Sequence, residues 1–396
     1  MTERLYYHKS DLLEFDATIV DSGRHGELYY TALDRSAFYP TSGGQQHDTG
    51  LLNGRPVIDV IETDGGEVWH LSREPVGEMG EKVTGVVDKD RRQLHCQQHT
   101  AQHILSGVFF RLYGFQTVSV HLGEEYGAIE LKTAEITSEQ MAHAERAAAQ
   151  VIADNWPVET LMVEPDRVAG LPLRKKPART GTIRVLKIGD IDYSACGGTH
   201  CASTGGVGLV KISGVEKMRG RALVKFLSGG QAYADYCGRF VVTDRLSRSL
   251  TCHVSDLPEK LDRMGEEIKA LRLELGQLQR ELIPATAAKL AEKARDVKGV
   301  KLVAADIEPF DPRLAAQLAA GVVELTAGVA VLYTGGRLII TASPESGHDA
   351  SRLVKGLAAT AGLKGGGSPR QAQAGGAVKE KLDDYVEIIS GLLGDA

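Results

Sequence analysis

Two histidines four residues apart, His99 and His103 in QHTAQHIL, would share one face of a helix, as two ligands of a single ion must. His95 extends that side to i, i+4, i+8. Further along, Cys196-Gly-Gly-Thr-His200 supplies a soft thiolate and an imidazole in one turn whose glycines let backbone wrap closely around an ion. His99, His103, Cys196 and His200 make a tetrahedral zinc set, with Cys201 and Cys96 as substitutes. Four protein ligands usually mark a closed, structural site, whereas hydrolysis needs a further position for water or substrate. A zinc peptidase would carry a glutamate beside the histidine pair; here Gln98 and Thr100 flank His99.

A second candidate is the polar loop FYPTSGGQQHDTG, residues 38–50. Gly43 and Gly44 can expose backbone N–H groups and admit a substrate closely. Gln45 could orient a water or donate to a carbonyl oxygen, and Thr41 and Ser42 could hydrogen-bond a substrate hydroxyl. The plainer alternative is a strand–turn–strand connection.

These residues need elements to hold them. Residues 1–87 carry short β-prone runs separated by turn signals, with Asn53-Gly54 and Asp64-Gly65-Gly66 as hairpin signatures. Leu94, Ala101, Leu105, Val108 and Leu112 form one stripe of a helix from Asp88 to Tyr113, ending before Gly114, with the histidines on the opposite side. Thr137 and Gln140 make a capping-box pattern for a second helix that stops before Pro157. Residues 158–235 mix short strands with glycine-rich loops. From Leu257, the residues Leu261, Met264, Ile268, Leu271, Leu275, Leu278 and Leu282 follow an a/d heptad seam, the pattern of a coiled coil or long helical hairpin. Pro284 should interrupt that run, with ATAAKLAEKARD folding back as a second helix. In residues 300–396, KLVAAD and VAVLYTGGRLIITAS read as strands, with helices near 312–325, 350–362 and 377–393.

The 396 residues suffice for about two to four domains. A net charge of -6 means that nucleic-acid contacts must be sought in local basic stretches. Five cysteines, an odd and sparse set, argue against a disulfide framework. MTERLYYHKSDLLEFD is too charged for a signal peptide, and no apolar run is long enough to span a membrane. A reduced, cytoplasmic protein is expected.

Arg174, Lys175, Lys176, Arg179, Arg184 and Lys187 form one basic stretch without acids, and Lys211, Lys217, Arg219, Arg221 and Lys225 another. Either could meet phosphates, or be a solvated surface. In the tail, Arg352, Lys355, Lys364, Arg370 and Lys379 accompany Gly365, Gly366 and Gly367, whose N–H groups could join Arg370 at a phosphate.

With FYPTSGGQ, HTAQH and CGGTH in that order, the chain resembles the editing domain of alanyl-tRNA synthetases and its free-standing relatives, the alanyl-tRNA editing proteins. The heptads followed by KGGGSPRQAQAGG are similar to the synthetases' C-terminal domain, so the long form of the editing protein matches best. The resemblance implies hydrolysis of serine or glycine wrongly attached to alanine tRNA. It places zinc on His99, His103, Cys196 and His200, Gln45 in the active site, and Thr41 at the serine hydroxyl. The expected fold is α+β: an N-terminal β-barrel-like domain (1–87), an α/β zinc-containing editing core (88–250), a coiled-coil or helical-hairpin linker (251–299) and a small α/β tRNA-binding domain (300–396). Gly43, Gly44, Arg219, Arg221, Lys364, Gly366, Gly367 and Arg370 are the expected substrate or tRNA contacts. The heptad helix or the C-terminal domain could form a homodimer. The competing readings are a zinc-containing tRNA-binding module without hydrolase activity and an editing hydrolase for another aminoacyl-tRNA.

Overall fold

A computed structural model of the chain describes residues 2–168, 170–175 and 181–394. These form two compact units, Met1–Arg245 and Leu246–Ala396.

The first unit begins with a closed barrel. Its strands run in the order Glu14–His25, Leu28–Leu33, Val68–Ser72, Arg55–Glu62, Gly50–Leu52 and Lys82–Val87, the last pairing with the first. Alternation fills the interior: Phe15, Ala17 and Ile19 point in from the first strand, Val83 and Val87 from the last. The turn between Leu52 and Arg55 places Asn53 and Gly54 at positive φ, 47° and 76°, the left-handed pair that a two-residue hairpin requires.

A helix, α1 (Lys89–Tyr113), leaves the barrel directly, capped by Asp88 and ended by Gly114 at φ 70°. The histidine side of this helix, although opposite the apolar stripe, is not open to solvent. Residues from His95 to Phe109 are buried, because the polar side is covered by the barrel loop and by the Cys196–His200 turn. The apolar side packs on a four-stranded antiparallel sheet, ordered Val210–Met218, Arg221–Ser228, Gly127–Leu131 and Thr117–Leu122, and on the helix Ser138–Ala153. Thr137 and Gln140 complete the expected capping box of that helix. A three-stranded sheet, Val158–Val163, Ile183–Ile188 and Asp192–Ala195, delivers the chain to Cys196.

The second unit centres on a six-stranded mixed sheet ordered Arg295–Val297, Val300–Asp306, Val329–Thr334, Arg337–Ala342, Gln371–Gly375 and Lys364–Gly367. The three-glycine run is an edge strand of this sheet rather than a linker. Added Cβ atoms on Gly365 and Gly367 would fall 2.3 Å from Gln373 O and 2.4 Å from Ala372 Cα, so glycine permits that pairing.

Pro284 does not break the heptad helix, which runs unbroken from Leu257 to Ala291. Proline forfeits one backbone hydrogen bond there. The segment expected to fold back instead continues the helix and buries Ala287 and Leu290 against the helix Pro312–Thr326, which offsets the loss. The seam residues Leu261, Ile268, Leu271, Leu275, Leu278 and Leu282 are all exposed. No helix among the described residues is long and apolar enough to cross a membrane.

Candidate metal centre and its cleft

Two segments distant in sequence meet at one point. His99 and His103 come from adjacent turns of α1, and Cys196 and His200 from the turn after the strand Asp192–Ala195. One ligand atom from each lies within 4.8 Å of all the others. Cys196 Sγ is 3.4 Å from His99 Nε2 and 3.3 Å from His200 Nε2. His103 Nε2 is buried with no hydrogen-bond partner among the described residues, the condition of a nitrogen meant for an ion. His95 lies elsewhere, with its Nδ1 3.8 Å from Asp48. Cys96 and Cys201 are also outside the cluster; burial pushes the Cys96 thiol up to about 12 and the Cys201 thiol up to about 11.

The electrostatics suit a thiolate. Burial opposes ionisation of Cys196, but the neighbouring imidazoles of His99, His200 and His103 outweigh it and hold the thiol well below its usual range. For His200, burial and the neighbouring His99 press the imidazole down to about 3, so it is neutral. One thiolate and three imidazoles are the donor set of a borderline-soft cation such as zinc, so the residues fit the ion.

The ligands are themselves held. His103 Nδ1 lies 2.6 Å from Asp192 Oδ2, and the other oxygen of Asp192 accepts from Arg174 Nε and Ser194 Oγ, both at 2.8 Å. A carboxylate can only accept from His103 here, so Nδ1 carries the hydrogen and Nε2 is free to ligate. Burial works against the Asp192 carboxylate, while His103 and Arg174 draw its pKa below the usual range. Arg184 donates to the carbonyls of Cys196 and Gly198, each at 2.9 Å, and fixes the shape of the ligand turn.

A cleft of about 600 Å³ opens on this cluster. Its walls include His99, His103, Cys196, Ser42, Gly43 and the strand residues Thr117–Val120. Two loop residues are placed differently from the sequence reading. The exposed Thr41 hydroxyl accepts from His47 N at 3.0 Å and contacts the His47 ring, outside the cleft lining. Gln45 is fully buried and spends its amide on His99 and Thr199. Gly44, at φ 90°, allows the loop to lie on the strand: an added Cβ would sit 2.6 Å from Val120 O.

The basic stretches are mostly paired. Arg174 and Arg184 are internal, as above; Lys187, Lys211, Lys217, Arg221 and Lys225 pair with Glu159, Glu145, Glu135, Glu130 and Glu216. Arg219 is exposed at a hairpin tip, while Lys176 and Arg179 lie outside the described residues. In the second unit Lys364, Arg370, Arg352 and Lys355 are exposed, Gly366 and Gly367 occupy the edge strand, and Lys379 pairs with Asp306. Sequence spacing gave no sign of Asp192, Thr199 or Arg184 as supports, since a second-rank contact has no periodicity to betray it.

Residues 183–222, which contain the Cys196–His200 turn, match the family model described as the threonyl and alanyl tRNA synthetase second additional domain. The chain is 32% identical over 398 residues to the alanine–tRNA ligase of Archaeoglobus fulgidus, covering 96% of this chain and 43% of that protein. It is 29% identical over 406 residues to the alanyl-tRNA editing protein AlaX-L of Pyrococcus horikoshii, covering 98% of this chain and 97% of that protein. A solved C-Ala domain of Aquifex aeolicus alanyl-tRNA synthetase covers 25% of this chain at 21% identity and a TM-score of 0.23, too slight a likeness to bear on the fold. The chain therefore spans under half the length of the ligase and nearly all of the editing protein, and it resembles the long form of the latter along almost its entire length.

Proposed function

From that near full-length resemblance we propose that the chain is a zinc-dependent aminoacyl-tRNA hydrolase that removes serine or glycine wrongly attached to alanine tRNA. The observation that carries the reading is the cluster of His99, His103, Cys196 and His200, the first three of which line a cleft of about 600 Å³. Zinc in this set would polarise an ester carbonyl or lower the pKa of a water.

The chain's own residues supply position and selectivity. Ser42, half-buried in the cleft wall, is the loop hydroxyl available to a seryl side chain, since Thr41 is engaged by His47. A pocket that hydrogen-bonds the seryl hydroxyl disfavours alanine, which would leave a buried polar group unpaired. Gly43, without a side chain, keeps the mouth open beside it. Arg184 and Asp192 hold the ligand turn and His103 while substrate enters. Residues 300–396 would add a second tRNA contact through Lys364, Gly366, Gly367 and Arg370, and the exposed heptad seam would join two copies; the reduced thiols suit the cytoplasm.

The test is deacylation of Ser-tRNA(Ala), Gly-tRNA(Ala) and Ala-tRNA(Ala) by the wild type and by a His103→Ala, Cys196→Ala double variant. Hydrolysis of the mischarged forms, sparing Ala-tRNA(Ala) and lost in the variant, is expected. A folded, zinc-loaded wild type that hydrolyses none of them refutes the reading. It would favour a binding module or another aminoacyl-tRNA.

A further inference from the structure

Gln45 has an unusually complete set of partners. It is fully buried and absent from the cleft wall. Its Oε1 accepts from the backbone N–H of Thr199 at 3.1 Å and lies 2.9 Å from His99 Nδ1, while its Nε2 donates to Thr199 Oγ1 at 2.9 Å. The orientation of this amide follows from its neighbours. A backbone N–H can only donate, so the atom facing Thr199 N is the oxygen. His99 Nδ1 meets that same oxygen and must therefore carry its hydrogen. The lone pair of His99 is then on Nε2, the atom that faces Cys196 Sγ at 3.4 Å.

We propose that Gln45 is a positioning residue, one that fixes the tautomer and ring plane of His99 and ties that ligand to the turn bearing Cys196 and His200 through Thr199. This rests on the reading of the cluster as a metal centre. The surrounding glycines serve the same contact. Gly198 lies against the His99 ring, where an added Cβ would be 2.2 Å from Cε1 and 2.9 Å from Gln45 Oε1. Gly44 lets the preceding backbone settle on Val120. One amide thus links the barrel loop, α1 and the ligand turn. It acts where a carboxylate or carbonyl commonly orients a metal-bound histidine. Both Gln45 lone pairs and one of its N–H bonds are spent on protein, so its hydrogen-bonding groups serve the ligands rather than an ester.

The experiment measures metal affinity without tRNA, by zinc competition against a chromophoric chelator, together with the visible spectrum of the cobalt-substituted full chain. Gln45→Met keeps the volume and removes both acceptor bonds; affinity should fall by about 10–100-fold and the cobalt spectrum should change. Gln45→Glu still accepts from His99 and Thr199, with the Thr199 hydroxyl turned to donate, and should stay within a few-fold of wild type. A Gln45→Met protein with wild-type affinity and spectrum overturns the proposal. If Gln45→Met does not fold, Gln45→Glu decides: a folded Glu variant with a tenfold loss of affinity also overturns it. Wild type that binds no zinc or cobalt would instead refute the metal-centre reading beneath it.

Discussion

Adding one methyl group at Gly198 should disable the metal centre while the same change at Gly197 should not. At Gly198 the new carbon would sit 2.2 Å from His99 Cε1, 2.3 Å from Nδ1 and 2.9 Å from Gln45 Oε1. Carbon atoms pack at about 3.5–4.0 Å, so the ring or the turn must yield by more than about 1 Å. His99 cannot turn freely, because Gln45 holds its Nδ1, and the turn cannot lift, because Arg184 holds the Gly198 carbonyl. Metal–ligand distances tolerate only about 0.2 Å. The displacement should therefore cost at least the roughly 10–100-fold in affinity typical of losing a ligand's support, and about 1–3 kcal/mol of stability from overpacking. At Gly197 the nearest atom to an added Cβ is Tyr7 Oη at 3.4 Å, an ordinary contact, and the backbone is not left-handed. Zinc competition and thermal unfolding of Gly198→Ala and Gly197→Ala, side by side, make the comparison. A Gly198→Ala protein that binds zinc as the wild type does would show that the turn is loose, and the geometric account would fail.

His70 is sealed in the barrel, its Nδ1 donating to Thr31 O and its Nε2 accepting from Ser36, and burial pushes its pKa down to about 4 despite the Thr31 contact. Because the folded pKa lies below the unfolded value of 6.5, neutral His70 contributes fully above about pH 6.5, and about 3 kcal/mol is lost as pH falls toward 4. Unfolding of wild type and His70→Gln from pH 7 to pH 4 should show a shallower decline in the variant; equal declines would count against it. Lys364→Ala with Arg370→Ala should weaken tRNA binding and reduce the salt slope by roughly one per lost phosphate contact, measured by filter binding across a salt series, with zinc content unchanged. An unaltered slope would remove that edge from the interface. Ile268→Lys with Leu275→Lys should convert a dimer to a monomer in light scattering if the exposed seam joins two copies; a wild type that is already monomeric at high concentration would end that idea.

Much of the architecture was legible because its signals are local. Asn53-Gly54 specifies its turn through the two left-handed residues it needs, and Thr137 with Gln140 caps its helix through side chains three residues apart. The tail's strands in KLVAAD and VAVLYTGGRLIITAS likewise followed from short apolar runs, whereas the strands Lys364–Gly367 and Gln371–Gly375 carry no such signal. The misreadings share one cause, which is that tertiary partners are invisible to periodicity. The polar side of α1 lies opposite its apolar stripe, yet two loops from elsewhere in the chain cover it. Pro284 looked like a stop because the packing of Ala287 and Leu290 beyond it could not be seen. Arg174 and Arg184 looked like phosphate contacts because charge counts do not reveal that each is held inside.

The two helix histidines are supported by different chemistry, and the difference matters at the site. His99 donates to a neutral amide and His103 to a carboxylate shared with Arg174. For His103, burial opposes protonation, while the Cys196 thiolate and the Asp192 carboxylate favour it. Had both supports been carboxylates, the buried cluster would carry another negative charge beside the Cys196 thiolate. Under the proposed hydrolytic reading, that charge would oppose the negative charge developing on an ester carbonyl oxygen. A glutamine at position 45 orients His99 without adding that charge, while Arg174 compensates Asp192 on the other side. The arrangement therefore fixes two imidazoles without adding a second carboxylate beside the Cys196 thiolate.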